Sequence, residues 1–460
     1  MLPPIADPEE ARRFLADHPH VQFFEIIFTN LSGVPRGKRL RRHELMAVYE
    51  YGRFLPGSIL VCDITGRDCE ETGLVWGDGD ADRLARPAPG TLVTAPWLGD
   101  DTAQVITSLY ELDGAANDLD PRHVLRGIVD RFAAEGWTPV VACELEYYLV
   151  DARRTAAGGI ELAGAPATGE RPTLHGVYGL RELEDFSPFL RDLWAAADAQ
   201  GVPLEGAIAE YAPGQLELTL RHGPDALRAA DEAVMYKRAA KGVAARHGCE
   251  ATFMAKPFAA LAGSGLHLHV SVQDAAGCNL FASEDPAGTP ALRHAVGGLK
   301  ALLAESMAIF APNANSYRRF RPNSYAPTAP AWGVNNRTVA LRVPAGPAEG
   351  RHIEHRVAGA DANPYLALAT LLAGVYHGLT RALDPGAPVE GDGYAAAAAS
   401  EERLPTTWFA ALDHFERSAV MADCLGERFT AMFAKVKRIE QDRFNEVVPP
   451  LDYDWYLKNA

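Results

Sequence analysis

Two histidines in alternating positions mark the part of the sequence that is best suited to chemistry. A Lys-Pro pair leads through a loop of small residues into the alternating run 266–271. Because side chains on a strand alternate between its two faces, His267, His269 and Ser271 should share one face. The glycines before the run would let a ligand approach the backbone closely. Such a strand can present imidazoles to a ligand, although paired histidines also occur as half-buried surface residues.

Carboxylates occur in the same alternating manner in two other segments. Glu144 and Glu146 stand two residues apart in the apolar run 140–150, and Glu210 and Glu217 flank an Ala-Pro-Gly break. Buried carboxylates need cations, hydrogen bonds or a metal. A solvated face with salt bridges would explain any one of these segments, but three of them together favour a shared cavity for a divalent metal. Carboxylates with a few imidazoles suit a hard ion such as Mg²⁺ or Mn²⁺.

Composition fits a large soluble enzyme. The chain has 460 residues, of which 48% are hydrophobic and 23% charged. This length exceeds what one core usually supports, so two domains are expected. The net charge of −16 argues against binding to nucleic acid and is compatible with a cationic substrate. No run is long enough for a membrane span, and six scattered cysteines fit a reduced cytoplasm, which is the expected location.

The elements that must position these side chains can be placed coarsely. We expect a helix over 8–18, a strand over 21–30 and a basic return strand over 36–40. The stretch 113–120 reads as a linker before a helix that starts at Pro121, because proline is favoured in the first turn. Further helices are expected near 186–200, 224–248, 289–310, 362–383 and 425–447. The domain boundary is therefore placed at residues 112 and 113.

The motifs, taken in order, resemble the glutamine synthetase family from about residue 20 to the C-terminus. The resemblance rests on the Lys-Pro to histidine tract, the Glu-Leu-Glu strand and the segment around the Ala-Pro-Gly break. It also rests on Asn-Ser-Tyr-Arg-Arg at 315–319, on 335–342 and on 353–365. The tracts ATFMAKP, NNRTVALR and RVAGADANPYL are similar to the branch that makes γ-glutamylputrescine. The resemblance implies an α+β fold with a β-grasp-like domain over 1–112 and a catalytic domain over 113–460. The catalytic domain would carry a curved antiparallel sheet with helices.

The resemblance also implies a reaction and a set of site residues. The reaction joins the γ-carboxylate of glutamate to an amine through a γ-glutamyl phosphate made from ATP. Two or more Mg²⁺ or Mn²⁺ ions would be held, one by Glu146, Glu210 and Glu217 and another by Glu144, His267 and Glu354. Glutamate would be bound by Gly263, His267, Arg319 and Arg356, and ATP by His269, Ser271, Arg337 and Arg342. The catalytic residues would be Glu210, Arg319 and Arg337. Arginine suits these roles because its fork of N–H donors matches carboxylate and phosphate.

Departures from the family pattern concern the amine. Leu55 stands near the place of an aspartate that binds ammonium in glutamine synthetases, and Tyr325 stands at the place of a glutamate on the flap. With Ser58 and Tyr178 these residues are expected to line an amine pocket. An apolar lining suits a nucleophile with a carbon chain, and putrescine is the expected substrate. Ala262 and His352 replace an asparagine and an arginine that are usual in the family.

Three functions therefore compete. The leading hypothesis is a ligase for alkyl amines or polyamines. The alternatives are a glutamine synthetase that uses ammonium and a family member without catalysis. By resemblance, the active site lies between subunits of a homo-oligomer, a dodecamer of two hexameric rings.

Overall fold

Two sheets organise the chain in the computed structural model, which describes residues 5–460. The N-terminal sheet has six strands, ordered β2-β1-β6-β4-β3 with β5 beside β6. Its strands are β1 (Phe23–Thr29), β2 (Pro35–Arg41), β3 (Arg53–Pro56), β4 (Asp82–Pro87), β5 (Val93–Thr94) and β6 (Thr102–Tyr110). The strands expected over 21–30 and 36–40 are confirmed as β1 and β2, which pair antiparallel.

The second sheet has eight strands and carries the acidic and imidazole side chains. Its order is β12-β13-β14-β11-β7-β9-β8, with β10 beside β7. Its strands are β7 (Thr138–Asp151), β8 (Leu204–Ala209), β9 (Gln215–Leu220), β10 (Cys249–Thr252), β11 (Leu266–Gln273), β12 (Trp332–Val334), β13 (Leu341–Val343) and β14 (Ile353–His355). All its neighbours pair antiparallel except β12 and β13. The α+β class and the curved sheet are thereby confirmed.

Fourteen α-helices accompany the sheets in the described part of the chain. They are α1 (Pro8–Asp17), α2 (Leu45–Tyr51), α3 (Pro121–Ala134), α4 (Leu180–Asp185), α5 (Ser187–Ala199), α6 (Ala226–Arg246), α7 (Pro290–Ala301), α8 (Leu303–Phe310), α9 (Pro364–Arg381), α10 (Gly393–Ala399), α11 (Trp408–Glu416), α12 (Ala419–Leu425), α13 (Glu427–Asn445) and α14 (Pro450–Tyr456). Helix α3 begins as expected, because the side chain of Asp120 accepts a hydrogen bond from the backbone N–H of Arg122 and Pro121 fills the first turn. None of these helices combines the length and the apolar character that a membrane crossing demands.

One expected helix is wrong in its extent. The segment 289–310 forms two helices, α7 and α8, which are separated at Leu302. The backbone of Leu302 leaves helical geometry (φ −95°, ψ 2°), so the chain turns there. The two helices then pack on different partners, α7 on α9 and α8 on α11. Tertiary packing decides this break, and the apolar pattern continues through it.

The core lies behind the second sheet. On β7 the side chains of Cys143, Leu145 and Tyr147 are fully buried and alternate with the glutamates. Helix α6 packs on β7 and β10. Buried residues of both sheets contribute to one large hydrophobic cluster, and a second cluster on the N-terminal sheet includes Phe24 and Ile26 of β1 and Val105 of β6. The division into domains at residue 112 therefore stays a prediction.

Candidate functional site

Strand register brings the predicted acids and His267 to one place. His267 on β11 is opposite Glu144 on β7, and Glu146 is opposite Glu217 on β9. The ring nitrogen Nδ1 of His267 lies 2.8 Å from Oε1 of Glu144, and Nε2 lies 3.7 Å from Oε1 of Glu146. Glu210 directly follows β8, and its backbone N–H donates to the carbonyl of Gln215 across the Ala-Pro-Gly turn.

The gathered side chains form two groups with the spacing of metal ligands. One oxygen from each of Glu146, Glu210 and Glu217 lies within 4.8 Å of the others, and the same holds for Glu144, Glu217 and His267. Glu217 belongs to both groups and lies between them. Three carboxylates, or two with one imidazole, match the donors that Mg²⁺ and Mn²⁺ take in proteins. The residues present therefore fit two divalent ions.

Crowding of carboxylates raises pKa values in the first group, which consists of Glu146, Glu210 and Glu217. Burial and the neighbouring charges of Glu146 and Glu144 raise the pKa of Glu210 to about 7. Burial, with the charges of Glu144, Glu146 and Glu210, also raises the pKa of Glu217 well above its ordinary value. These shifts follow from like charges held together in a protein interior, and a bound cation would reverse them.

The pKa values of two other carboxyls in the site, Glu144 and Glu354, are lowered. Burial disfavours the ionised form of Glu144, but contacts from His267 and His269 outweigh it and hold its pKa well below the usual range. Glu354 is buried too, yet Arg356, the two histidines and Arg342 lower its pKa to about 2. Both groups are therefore ionised at neutral pH.

Glu354 is held by two arginines. Nη1 of Arg342 donates to Oε2 at 2.7 Å, and Nη1 of Arg356 donates to Oε1. Oε1 of Glu354 lies 3.9 Å from Nδ1 of His267, so Glu354 borders the second group of ligands. The group of three potential ligand atoms around His267 contains Glu144 and Glu217 and does not contain Glu354. The predicted assignment of Glu354 to the second metal stays a prediction.

The other two predicted arginines differ in their surroundings. Arg319 is buried, and its guanidinium donates to the carbonyls of Val357, Ala358 and Arg356. Arg337 is exposed and has no ion-pair partner within residues 5–460. The guanidinium of Arg337 is thus free of ion pairs in the described chain, whereas backbone carbonyls fix the guanidinium of Arg319.

The glycine loop before β11 is closely packed. A Cβ at Gly263 would lie 2.7 Å from Cγ of Arg319 and 2.8 Å from the carbonyl oxygen of Ala255, so only glycine fits there. The backbone N–H of Gly265 donates to Oε2 of Glu146 at 2.7 Å. His269 and Ser271 follow on the same strand and are both buried.

Residues predicted for the amine pocket are found in different places. Tyr178 and Tyr325 are 64% and 57% exposed, and both have left-handed backbone angles, φ 57° and φ 56°. The N–H of Tyr178 donates to the carbonyl of Ala209, which places Tyr178 beside Glu210. Left-handed tyrosines are strained and occur mainly where function or surrounding structure requires them.

Leu55 and Ser58 belong to the N-terminal sheet. Leu55 is on β3 and is 5% exposed within the hydrophobic core. Ser58 is in the short 3₁₀ helix Gly57–Leu60 and is also buried. Within one chain neither side chain joins the carboxylate groups. Their place in the pocket stays a prediction.

Sequence reasoning missed two residues of this region. Gln215 donates through Nε2 to Oε2 of Glu146 at 3.3 Å and to the carbonyl of Gly263 at 3.0 Å, which connects β9, β7 and the glycine loop. Gln215 stands two residues before Glu217, and this strand period could have predicted that both side chains share one face. His222 forms a cluster with His269 and His352. Sequence reasoning had no signal for it, because a spacing of five residues from Glu217 matches neither a strand nor a helix period.

A large cavity lies elsewhere. It has a volume of about 1240 Å³, and its lining includes Glu25 of the N-terminal sheet, Lys237 of α6 and Phe253, which follows β10. None of the predicted metal ligands lines it. Chemistry and register therefore identify the site better than cavity size does.

Comparisons with known proteins give the relatives of this chain. Residues 118–456 match the family model described as glutamine synthetase, catalytic domain. The chain is 39% identical to the γ-glutamylputrescine synthetase PuuA of Escherichia coli, over 98% of this chain and 95% of that relative. It is 33% identical to the γ-glutamylethanolamide synthetase GlnA4 of Streptomyces coelicolor, over 95% and 91%. A solved complex of GmaS with ADP superposes with a TM-score of 0.84 at 28% identity, over 97% of this chain and 98% of that one.

Proposed function

Because this chain belongs to the glutamine synthetase family, we propose that it joins the γ-carboxylate of glutamate to an alkyl amine or polyamine. The reaction consumes ATP, passes through γ-glutamyl phosphate and yields a γ-glutamylamide, ADP and phosphate. Putrescine is the proposed amine, since the relative at 39% identity is named for γ-glutamylputrescine. A cytoplasmic location is proposed with it.

One observation carries this proposal: a single sheet face gathers five carboxylates and an imidazole, with an arginine pair at its edge. The carboxylates and imidazole are Glu144, Glu146, Glu210, Glu217, Glu354 and His267. Phosphoryl transfer from ATP to a carboxylate brings two anions together, so cations must neutralise the developing charge. A family member without catalysis would have no need for buried, mutually repelling acids.

The two carboxylate groups are proposed to hold two divalent ions, Mg²⁺ or Mn²⁺. Glu146, Glu210 and Glu217 would hold one of them, and Glu144 with His267 the other. Such ions supply charge neutralisation and orient phosphate oxygens. Glu354 is proposed to complete the second set, which requires that one of its oxygens turn from an arginine to the ion.

The remaining roles fall to the arginines and the loops. Arg337 and Arg342 are proposed to bind phosphate oxygens, since Arg337 has no partner in the described chain. Arg319 and Arg356 are proposed to bind glutamate beside Gly263. His269 and Ser271 would line the nucleotide site by their position on β11, next to His267.

The amine needs a proton acceptor and a lining. Alkyl amines are mostly protonated at neutral pH, as lysine is, so a group near the amine must accept a proton before attack. Glu210 is proposed for this role, with Tyr178 above it as part of the lining. Tyr325 is proposed for the flap side of the pocket.

Leu55 and Ser58 reach such a pocket only from another chain. We therefore propose that the N-terminal domain, residues 1–112, of one subunit closes over the sheet of the next, in a dodecamer of two hexameric rings. Purified protein should then elute as an assembly, and a fully active monomer would contradict this arrangement.

The decisive experiment compares amines. Phosphate release is measured with glutamate, ATP and, in turn, putrescine, a monoamine of similar length, and ammonium. We expect the highest kcat/KM for putrescine. Ammonium as the best substrate would refute the amine ligase in favour of glutamine synthetase, a function for which relatives at 28–31% identity are named. A higher kcat/KM for the monoamine would support an amine ligase but exclude a polyamine as its substrate. No turnover with any amine would refute the proposal that the protein is an enzyme.

A further inference from the structure

Three histidines form a separate cluster beside the carboxylate groups. His222 follows β9, His269 lies on β11 and His352 directly precedes β14. One ring nitrogen from each lies within 4.8 Å of the others, and no carboxylate belongs to the group. We propose that these three imidazoles bind one divalent transition-metal ion, such as Zn²⁺ or Co²⁺, at a site distinct from the proposed Mg²⁺ or Mn²⁺ pair.

The arrangement of the rings supports ligation of a single ion. Ring centroids are 5.3 Å apart for His222 and His269, 5.3 Å for His222 and His352, and 5.2 Å for His269 and His352. A tetrahedral ion with metal–nitrogen bonds of about 2.0–2.1 Å places imidazole centroids about 5.2 Å apart. The nitrogens themselves would have to come within about 3.3 Å of one another. Because the centroids already have this spacing, the approach of the nitrogens requires the rings to turn toward a common centre.

Hydrogen bonding leaves ring nitrogens available. Nδ1 of His352 lies 2.7 Å from the carbonyl oxygen of Gly350, which can only accept, so Nδ1 carries the proton and Nε2 has a free lone pair. Metal-binding histidines are typically oriented in this way by a backbone carbonyl. Nδ1 of His269 is buried without a hydrogen-bond partner in the described chain. The side chain of His269 is 10% exposed, and Nε2 lies 3.4 Å from Oε2 of Glu144.

The cluster is accessible and chemically distinct from its neighbours. His222 is exposed and His352 half-buried, so an ion can enter from solvent and keep one open position for water or a ligand oxygen. Imidazole favours zinc, copper and nickel, whereas carboxylates favour magnesium and manganese. The two kinds of site therefore favour different ions. The inference concerns binding alone and needs neither glutamate nor an amine.

Cobalt provides a direct test. The full-length protein is titrated with Co²⁺ in a large excess of Mg²⁺, which competes for the carboxylate groups, and visible absorption is recorded, since cobalt on oxygen ligands gives only weak octahedral bands. One Co²⁺ per chain with the strong bands of tetrahedral cobalt is expected. His222→Gln and His352→Gln should each weaken binding more than about 100-fold, because loss of a ligand costs more than loss of an outer-shell partner.

The matched control is His414→Gln, which changes an exposed histidine on α11 that belongs to no ligand cluster. It should bind Co²⁺ as the unchanged chain does. Circular dichroism checks the fold of each variant, and either cluster variant that folds is sufficient. Equal Co²⁺ affinity in the folded cluster variant and the control would refute the site. Only the weak bands of octahedral oxygen ligation in the unchanged chain would refute it as well.

Discussion

Glu146 and Glu217 lie directly opposite each other on the neighbouring strands β7 and β9. Like charges in such a cross-strand pair destabilise a sheet, and here Glu210 adds a third carboxylate within 4.8 Å. The three carboxylates therefore repel one another in the folded protein, and a bound cation would remove this repulsion. The predictions on metals and pH follow from this pair.

Replacement of Glu146 by glutamine should abolish turnover. The change removes a charged ligand from the first carboxylate group but keeps the size of the side chain. We expect kcat to fall at least about a thousandfold, since a bound metal supplies several kcal/mol of charge stabilisation. Calorimetry with Mn²⁺ should show weaker binding. The control Glu170→Gln changes an exposed glutamate and should leave both values unchanged; full activity of Glu146→Gln would contradict the metal assignment.

The crowded carboxyls should make the metal-free protein less stable as pH rises. The pKa of Glu210 is raised to about 7 and that of Glu217 is raised as well, so their contribution to stability is complete below about pH 4.5 and is lost as pH rises through about 7. Glu354, with its pKa near 2, loses its contribution only when the pH falls below about 4.5. The contribution of these carboxyls to the metal-free Tm should therefore be larger at pH 5.5 than at pH 8, and Mg²⁺ should raise Tm more at pH 8. The lowered pKa values of His222 and His355 act in the opposite direction as pH rises to about 6.5.

A variant separates this effect from general pH sensitivity. Glu217→Gln imitates the protonated carboxyl, so its metal-free Tm should exceed that of the unchanged chain at pH 8 and vary less with pH. The measurement is thermal unfolding followed by circular dichroism in the presence of a chelator. Identical pH profiles for both proteins would show that the carboxylate repulsion is not the cause.

Loss of an arginine beside Glu354 should destabilise the fold. Arg356→Gln leaves a fully buried carboxylate with one of its two arginine partners, and breaking such a pair costs about 3–5 kcal/mol. The double variant with Glu354→Gln should recover part of that loss, because the unpaired charge is gone. Unfolding in urea gives the free energies for the cycle. Equal stability of Arg356→Gln and the unchanged chain would contradict the importance of the pair.

An acid at position 325 should change the choice of amine. Tyr325→Glu would return a carboxylate to the flap, so we expect kcat/KM for ammonium to rise relative to putrescine by at least about tenfold, or about 1.4 kcal/mol. The backbone there is left-handed for tyrosine and would be equally strained for glutamate. Tyr51→Glu, at an exposed tyrosine on α2, is the matched control. An unchanged ratio would remove Tyr325 from the proposed pocket.

Much of the site could be predicted from local pattern. Alternation along a strand places Glu144 with Glu146, and His267 with His269, on one face because side chains alternate with a period of two. The same period placed Cys143 in the core, where it is fully buried. Capping residues and prolines fixed helix starts such as that of α3. These properties depend on neighbours along the chain.

Tertiary structure decided what meets across strands. The pairing of Glu146 with Glu217, the ion pair of Arg342 with Glu354 and the cluster of His222 with His269 and His352 all join residues that are distant in the sequence. No local period links such positions, because register is set by long-range packing of the hydrophobic faces. The sequence thus determined which chemical groups the sheet would carry, and the packed sheet alone decided which of them lie within reach of one ion.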